Sequence, residues 1–344
     1  MQRVRVAEAV PRARGARGAR RLVPRGRARG AALRLRPRQA AARRAHRDPL
    51  CRRPRAARGA RGAPRGGRAR ARRVGGACAP ARAPDARRLQ ARLRARVSGG
   101  AAGHPADPDE ADRQRALYAE GAERYDALVC AEDADRALDA ALAEVLPVSG
   151  ARALDVGCGT GRVARILLGL GAAHVTGVDR APAMLAVARR RLAAEVEAGK
   201  LVLLEADARE LALPPGSFDC AVAGWCFGHF RHWLPDDWRR EVGRALDAVE
   251  RALVPGGHLV VVETLGTGHE TPRSHPALDE YFAWLERERG LARRTLRTDY
   301  AFASLAQALE VLGAFFPAEL VLRVRARGTA RVPECTGLWW RRVG

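Results

Sequence analysis

Between Ala151 and Glu263 the chain carries five short runs of mainly apolar residues, separated by turns and by three amphipathic stretches. The apolar runs are Ala151–Val156, His174–Val178, Leu201–Leu204, Phe218–Ala223 and His258–Glu263. The stretches between them that carry helical periodicity are Arg162–Leu170, Pro182–Glu197 and Trp238–Leu253. Runs that are apolar at successive positions, rather than at every second one, are strands covered on both faces. Strands separated by helices require right-handed crossovers and therefore a parallel sheet with helices on both sides.

The flanks are read with the same rules. Ala111–Leu146 is expected to be helical and to stop at Pro147. Beyond Glu263 come a loop over Gly266–Arg273, a helix over Pro276–Arg289 and a second helix over Ala303–Leu312. Glu319–Arg327 and Ala330–Trp340 alternate around Gly328 in the manner of a closing antiparallel hairpin. The expected fold is α/β: a Rossmann-like, seven-stranded, mostly parallel sheet with an antiparallel C-terminal hairpin, occupying residues 111–344.

The formal net charge of +24 does not describe this body. Residues 1–100 hold 32 Arg and three acids (Glu8, Asp48, Asp85), whereas residues 101–344 hold 30 basic and 35 acidic residues. The first 100 residues contain no aromatic residue and no sustained apolar periodicity, so nothing offsets the entropy of ordering them. Residues 1–110 are therefore expected to be a disordered Arg-rich tail. One reading places the native translation start near Val97, and another makes the tail a polyanion-binding arm or a targeting segment. Seven cysteines without a CxxC pair fit free thiols in a cytoplasmic protein. No apolar run is long enough to span a membrane. No metal site is expected, and no feature selects an oligomeric state.

The chemistry centres on Leu154-Asp155-Val156-Gly157-Cys158-Gly159-Thr160-Gly161-Arg162. A strand running into alternating glycines and then a helix lets the backbone approach a ligand closely at the strand's carboxyl end. The spacing is G-x-G-x-G rather than the G-x-G-x-x-G suited to a pyrophosphate, and Asp155 precedes the first glycine. Asp179 ends the second strand, where an acid can accept ribose hydroxyls, and Asp207 follows the third. Three acids at successive strand ends repel a phosphate and suit a ribose, an adenine amino group and an ammonium. Together they describe S-adenosylmethionine (SAM).

Asp155–Arg162, Val175–Asp179, Leu204–Asp207, Phe218–Ala223 and Leu253-Val-Pro-Gly-Gly257 resemble the successive motifs of the class I SAM-dependent methyltransferases, of the small-molecule type 11 kind. The resemblance covers about residues 112–263. It implies that Gly157, Gly159 and Gly161 line the methionine end of the cofactor and that Asp155 lies near its amino group. It also implies that Asp179 holds the ribose, Asp207 and Ala208 the adenine edge, and Gly224 the far wall. Arg180 would pack along the adenine, and Tyr125 would lie near the cofactor carboxylate.

The exit of the fourth strand, Gly224-Trp225-Cys226-Phe227-Gly228-His229-Phe230-Arg231-His232-Trp233, is expected to face the transferable methyl. It has neither an Asn-Pro-Pro-Tyr-like clamp nor a cysteine pair for C5 chemistry. His229 is the candidate general base; Trp225, His232 and Glu263 are candidates for acceptor contact. Residues of about 264–300, where this family usually inserts a substrate cover, contain Tyr281, Phe282 and Trp284 as a candidate apolar wall. The leading expectation is methyl transfer to a small molecule, with the acceptor atom left open. The alternatives are an RNA or DNA methyltransferase recruited by the basic tail, a nucleotide-dependent oxidoreductase, and a SAM-sensing module without turnover.

Overall fold

The computed structural model describes Tyr118 and residues 121–344. The 1–110 tail and the start of the expected first helix lie outside the described residues.

Among the described residues, helices α1 (Ala122–Ala131) and α2 (Ala137–Val145) precede the sheet. The single helix expected there is interrupted. Asp133 and Arg136 adopt left-handed backbone conformations (φ 59° and 57°), and the Asp133 carboxylate accepts the amides of Ala137 and Leu138 at the start of α2. A carboxylate that satisfies the free N–H groups of a new helix start favours a break over continuation.

The doubly wound part follows in the expected order: β1 (Arg152–Val156), α3 (Arg162–Gly169), β2 (His174–Asp179), α4 (Pro182–Arg191), α5 (Ala193–Glu197), β3 (Leu201–Glu205) and β4 (Phe218–Gly224). The helix read over Pro182–Glu197 is thus two, divided at Leu192. A short helix α6 (Phe230–Trp233), the long α7 (Trp238–Ala252) and β5 (Leu253–Thr267) continue the chain. β5 pairs with β4 from Leu253 onward, so the Pro-Gly-Gly turn lies inside the strand's span rather than ahead of it.

The last third contains α8 (Pro276–Arg287), β6 (Ala292–Arg297), β7 (Tyr300–Ala301), α9 (Leu305–Phe315), α10 (Ala318–Arg327), β8 (Arg331–Val332) and β9 (Glu334–Arg342). The seven-stranded sheet has the order β3-β2-β1-β4-β5-β9-β6, with β7 and β8 forming a separate ribbon. Pairs from β3 to β5 are parallel; β9 runs antiparallel to both β5 and β6. The closing antiparallel pair is present, but its outer strand is Ala292–Arg297. Glu319–Arg327 is helical instead. Pro317 precedes its first turn, Gly328 ends it at φ 64°, and Leu320 and Val324, four residues apart, are its buried positions.

The central strands are buried along nearly their whole length, as their unbroken apolar runs require. One face of the sheet packs under α7 and α8, where Trp238, Tyr281, Phe282, Trp284 and Trp339 join one core. The other face packs under α2, α3 and α4. The sheet order reverses between β1 and β4, and an α/β sheet opens its ligand crevice beyond the strand ends at such a switch point.

Candidate active site

The three glycines after β1 do different work. All have positive φ (68°, 53° and 90° for Gly157, Gly159 and Gly161). A Cβ on Gly157 would stand 2.7 Å from Cys226 Sγ, and one on Gly161 would stand 2.8 Å from Leu192 Cδ1. Gly157 is therefore needed for the approach of the β1 and β4 exits, and Gly161 for the packing of α3 against the α4–α5 bend. Gly159 faces open space, with only Tyr125 Cε1 at 3.7 Å. The turn is tied to β2 by the amides of Gly157 and Cys158, which both donate to the Val178 carbonyl.

Asp179 completes that tie. Its Oδ2 accepts the Gly159 amide and its Oδ1 the Ala181 amide, each at 2.8 Å. Burial still pushes its carboxyl above the usual range.

Beyond these strand ends lies a cavity of about 540 Å³. Gly157, Gly159, Asp179, Arg180, Asp207 and Ala208 line it, with Tyr118, Tyr125, Trp225, Cys226, His229, Phe230 and Trp233 closing it. The structure thus brings together most of the residues singled out from the sequence. Arg180 lies over the Trp233 ring at 4.5 Å, forming a cation–π wall. Asp207 is committed in two directions: it caps the short 3-10 turn at Ala208–Glu210 by accepting the Arg209 amide, and it pairs with the Arg209 guanidinium at 2.7 Å. The Arg209 hydrogen bonds hold its carboxyl below the usual range against the opposing effect of burial.

A second cavity of about 230 Å³ adjoins the first, sharing Tyr118, Tyr125, Gly157, Gly159, Trp225 and His229. It reaches toward the ends of β5 and β9, and Gly224, Arg162, Thr264, Thr267, Tyr300, Phe315, Phe316, Glu132 and Glu334 also line it. Arg162 donates to Glu132 Oε2 at 2.7 Å and lies over the Trp225 ring at 4.3 Å. Trp225 itself has a positive φ of 50°, unusual for a bulky residue. The two Arg162 contacts and this backbone turn fix the wall between the two spaces.

His229 borders both cavities. Its Nε2 is 3.1 Å from the Tyr118 hydroxyl and its ring stacks on Trp233. Burial, with His232 and Arg180 adding positive charge nearby, pulls its imidazole down to about 4. The ring is neutral at pH 7.

Other sequence candidates fall elsewhere. Asp155 is 1% exposed and lines neither cavity; the Ala164 amide stands near its carboxylate, and burial pushes its carboxyl up to about 8. Gly161 also lies outside both linings. Glu263 is buried beneath the β4 exit, where Oε1 accepts the amides of Phe227 and Gly228 and the Tyr281 hydroxyl, so it shapes the turn that carries His229. His232 is exposed and meets His275 edge-on. Tyr281, Phe282 and Trp284 are core residues of α8 rather than a ligand wall. The segment that does roof the second cavity lies later, between β6 and β9, through Tyr300, Phe315 and Phe316.

Sequence reasoning passed over Glu132, Arg162 and Glu334, which meet in the second cavity. Arg162 alone carried a signal, being the first residue after the last glycine. Glu132 and Glu334 are polar residues in segments read as a helix and a hairpin, and only the assembled fold makes them neighbours.

A doubly wound sheet with a glycine turn feeding a crevice at its switch point defines a Rossmann-like ligand-binding domain. Residues 154–261 match the family described as a methyltransferase domain, and this stretch of the chain is a class I methyltransferase domain. The chain is 39% identical over 155 residues to a demethylmenaquinone methyltransferase from Thermus thermophilus, covering 43% of this chain and 64% of that protein. It is 41% identical over 118 residues to a ubiquinone biosynthesis O-methyltransferase from Xylella fastidiosa, covering 34% of this chain and 43% of that protein. Among solved structures it is similar to the YcgJ protein of Bacillus subtilis, with 17% identity and a TM-score of 0.41 over 59% of this chain and 97% of that one. The chain spans less than two thirds of the length of these curated relatives.

Proposed function

We infer that the protein is a methyltransferase that uses S-adenosylmethionine to methylate a small molecule. The observation that carries this reading is Asp179, which joins the glycine turn to the start of α4 while its carboxylate lines the larger cavity. A carboxylate held there suits ribose hydroxyls and disfavours a phosphate. The larger cavity is the proposed cofactor space: Asp179 toward the ribose, Asp207 and Ala208 toward the adenine edge with Arg180 alongside, and Gly157, Gly159 and Tyr125 toward the methionine end. Asp155 and Gly161 support that surface from beneath. The smaller cavity, reached past Trp225 and His229, is the proposed acceptor space.

Methyl transfer from a sulfonium is an in-line displacement, in which alignment and exclusion of water supply much of the rate. His229 stands where the two spaces meet. Held neutral, it can accept a hydrogen bond, but it retains a proton poorly near neutrality. Its proposed role is therefore to orient the acceptor, with Tyr118 fixing the ring. No described helix is long and apolar enough to cross a membrane. Five described cysteines are free thiols, which fits a cytoplasmic setting.

The direct test is calorimetric titration with S-adenosylhomocysteine and, separately, with NAD. Saturable binding of the first and none of the second is expected; the reverse would overturn the reading.

A further inference from the structure

The second cavity contains an imbalance of charge that identifies its ligand. Three ionisable side chains from distant segments meet in it: Glu132 after α1, Arg162 at the start of α3 and Glu334 at the start of β9. Arg162 is already neutralised, with Nη1 2.7 Å from Glu132 Oε2 and the guanidinium covered by Trp225. Glu334 has no cation of its own. Its Oε1 accepts the Thr264 hydroxyl at 2.6 Å, while Oε2 is buried without a hydrogen-bond partner, although the Thr267 hydroxyl stands near. The residue is 1% exposed and lines the cavity.

The groups around Glu334 do not cure this. Glu132 repels its charge, Arg162 attracts it more weakly, Tyr300 is a buried phenol and Cys335 a buried thiol. Burial and Glu132 together push the Glu334 carboxyl up to about 8. An unpaired carboxylate in such a place is costly to ionise and is stabilised by an incoming cation. Six aromatic side chains, Tyr118, Tyr125, Trp225, Tyr300, Phe315 and Phe316, dominate the remaining walls, with Leu128, Val129, Val163, threonines and the neutral His229 ring between them. Ring faces attract a desolvated ammonium and offer nothing to an anion. One polar atom is left over, Arg162 Nη2, which is buried without a partner and can donate to an oxygen elsewhere on the same ligand.

We propose that the second cavity binds a small primary or secondary amine, which enters as its ammonium, pairs with Glu334 and is methylated on nitrogen. The assignment rests on the methyltransferase reading above. In the step itself the ammonium gives one proton to the Glu334 carboxylate, and the freed nitrogen lone pair attacks the sulfonium methyl. The N–C bond forms as the S–C bond breaks, the bonding pair staying on sulfur as a thioether. The positive charge passes from sulfur to the methylated nitrogen.

The test uses the full chain saturated with S-adenosylhomocysteine and titrated with 2-phenylethylamine, its neutral isostere 2-phenylethanol, and p-cresol as a phenol. The amine is expected to bind at least about tenfold more tightly than either neutral probe, as charge-assisted contacts in a dry site outweigh neutral ones. Glu334→Gln keeps the side chain's shape and its acceptor oxygen; it is expected to abolish that preference while S-adenosylhomocysteine affinity stays unchanged. In the unsubstituted protein, amine binding near pH 7 is expected to release a proton, read as a buffer-dependent heat. Equal or tighter binding of p-cresol or 2-phenylethanol would overturn the proposal, as would no amine binding up to millimolar concentration, or a preference that survives Glu334→Gln. Failure of S-adenosylhomocysteine itself to bind would instead overturn the cofactor reading, so the two failures are distinguishable.

Discussion

The Gly159 amide donates to Asp179 Oδ2 at 2.8 Å, so the carboxylate proposed to meet the cofactor's ribose also holds the tip of the glycine turn. The other oxygen takes the Ala181 amide at the same distance, ahead of α4. One side chain thus sets the spacing between the exits of β1 and β2.

Asp179→Ala is expected to weaken S-adenosylhomocysteine binding by at least about tenfold. It leaves two amides unpaired, a loss of about 1–3 kcal/mol of stability. Asp179→Asn keeps an acceptor oxygen for one amide and is expected to fall between the two in both respects. Calorimetry and thermal melts check the ordering.

Gly157→Ala and Gly159→Ala are expected to differ, although both glycines have positive φ. At Gly157 the new methyl meets Cys226 Sγ at 2.7 Å, whereas at Gly159 the nearest atom is Tyr125 Cε1 at 3.7 Å. Backbone strain is common to both, and overpacking adds about 1–3 kcal/mol at Gly157 alone. The Gly157 variant should therefore melt at the lower temperature; equal melting temperatures would refute the close approach of the β1 and β4 exits.

Asp155 makes a distinct pH prediction. Its carboxyl is raised to about 8 in the fold, against about 3.9 in an unfolded chain. The folded state therefore holds a proton that the unfolded state has released across that interval. Its contribution is fully present below about pH 4 and is lost as pH rises toward 8. Asp155→Asn should flatten the fall in melting temperature between pH 5 and 8, and an unaltered slope would show that Asp155 does not carry it.

His229 is neutral across the physiological range because its imidazole is drawn down to about 4. The pH profile of kcat should consequently show no step near pH 6.5 attributable to this ring. His229→Ala is expected to lower kcat more than it raises KM for the cofactor, since it removes an orienting contact. A step near pH 6.5 that vanishes in this variant would make His229 a titrating base instead.

The sheet was legible because its evidence is local. Buried parallel strands are continuous apolar runs, and β1 to β5 each contain one between recognisable turns. Glu319–Arg327 misled for the same reason. Its apolar residues fit two periods, and the choice is made by which of them are buried: Leu320 and Val324 pack in the cluster around Tyr300 and Phe302, while Leu322 is 59% exposed. That cluster does not exist until the chain is folded. The glycine turn and Asp179 were likewise readable from spacing, whereas the commitment of Asp207 to Arg209 depends on a side-chain geometry that spacing does not encode. The Glu132–Arg162–Glu334 arrangement was the least readable feature, because its members are separated by about 30 and 170 residues and each is unremarkable in its own segment.

The placement of β9 between β5 and β6 has a consequence for how such a protein can change. The roof over the second cavity leaves the sheet near Arg297 and returns near Cys335, and these two residues are directly paired across the β6–β9 ladder. An excursion whose two ends are stapled together by the sheet can be lengthened, shortened or rebuilt at little cost to the strands that anchor it. The floor made by β1, β2 and β4 belongs to a different stretch of chain. On the proposed assignment of the two cavities, acceptor choice and cofactor capture fall to separately variable parts of one polypeptide, so the first can be retuned with little disturbance of the second.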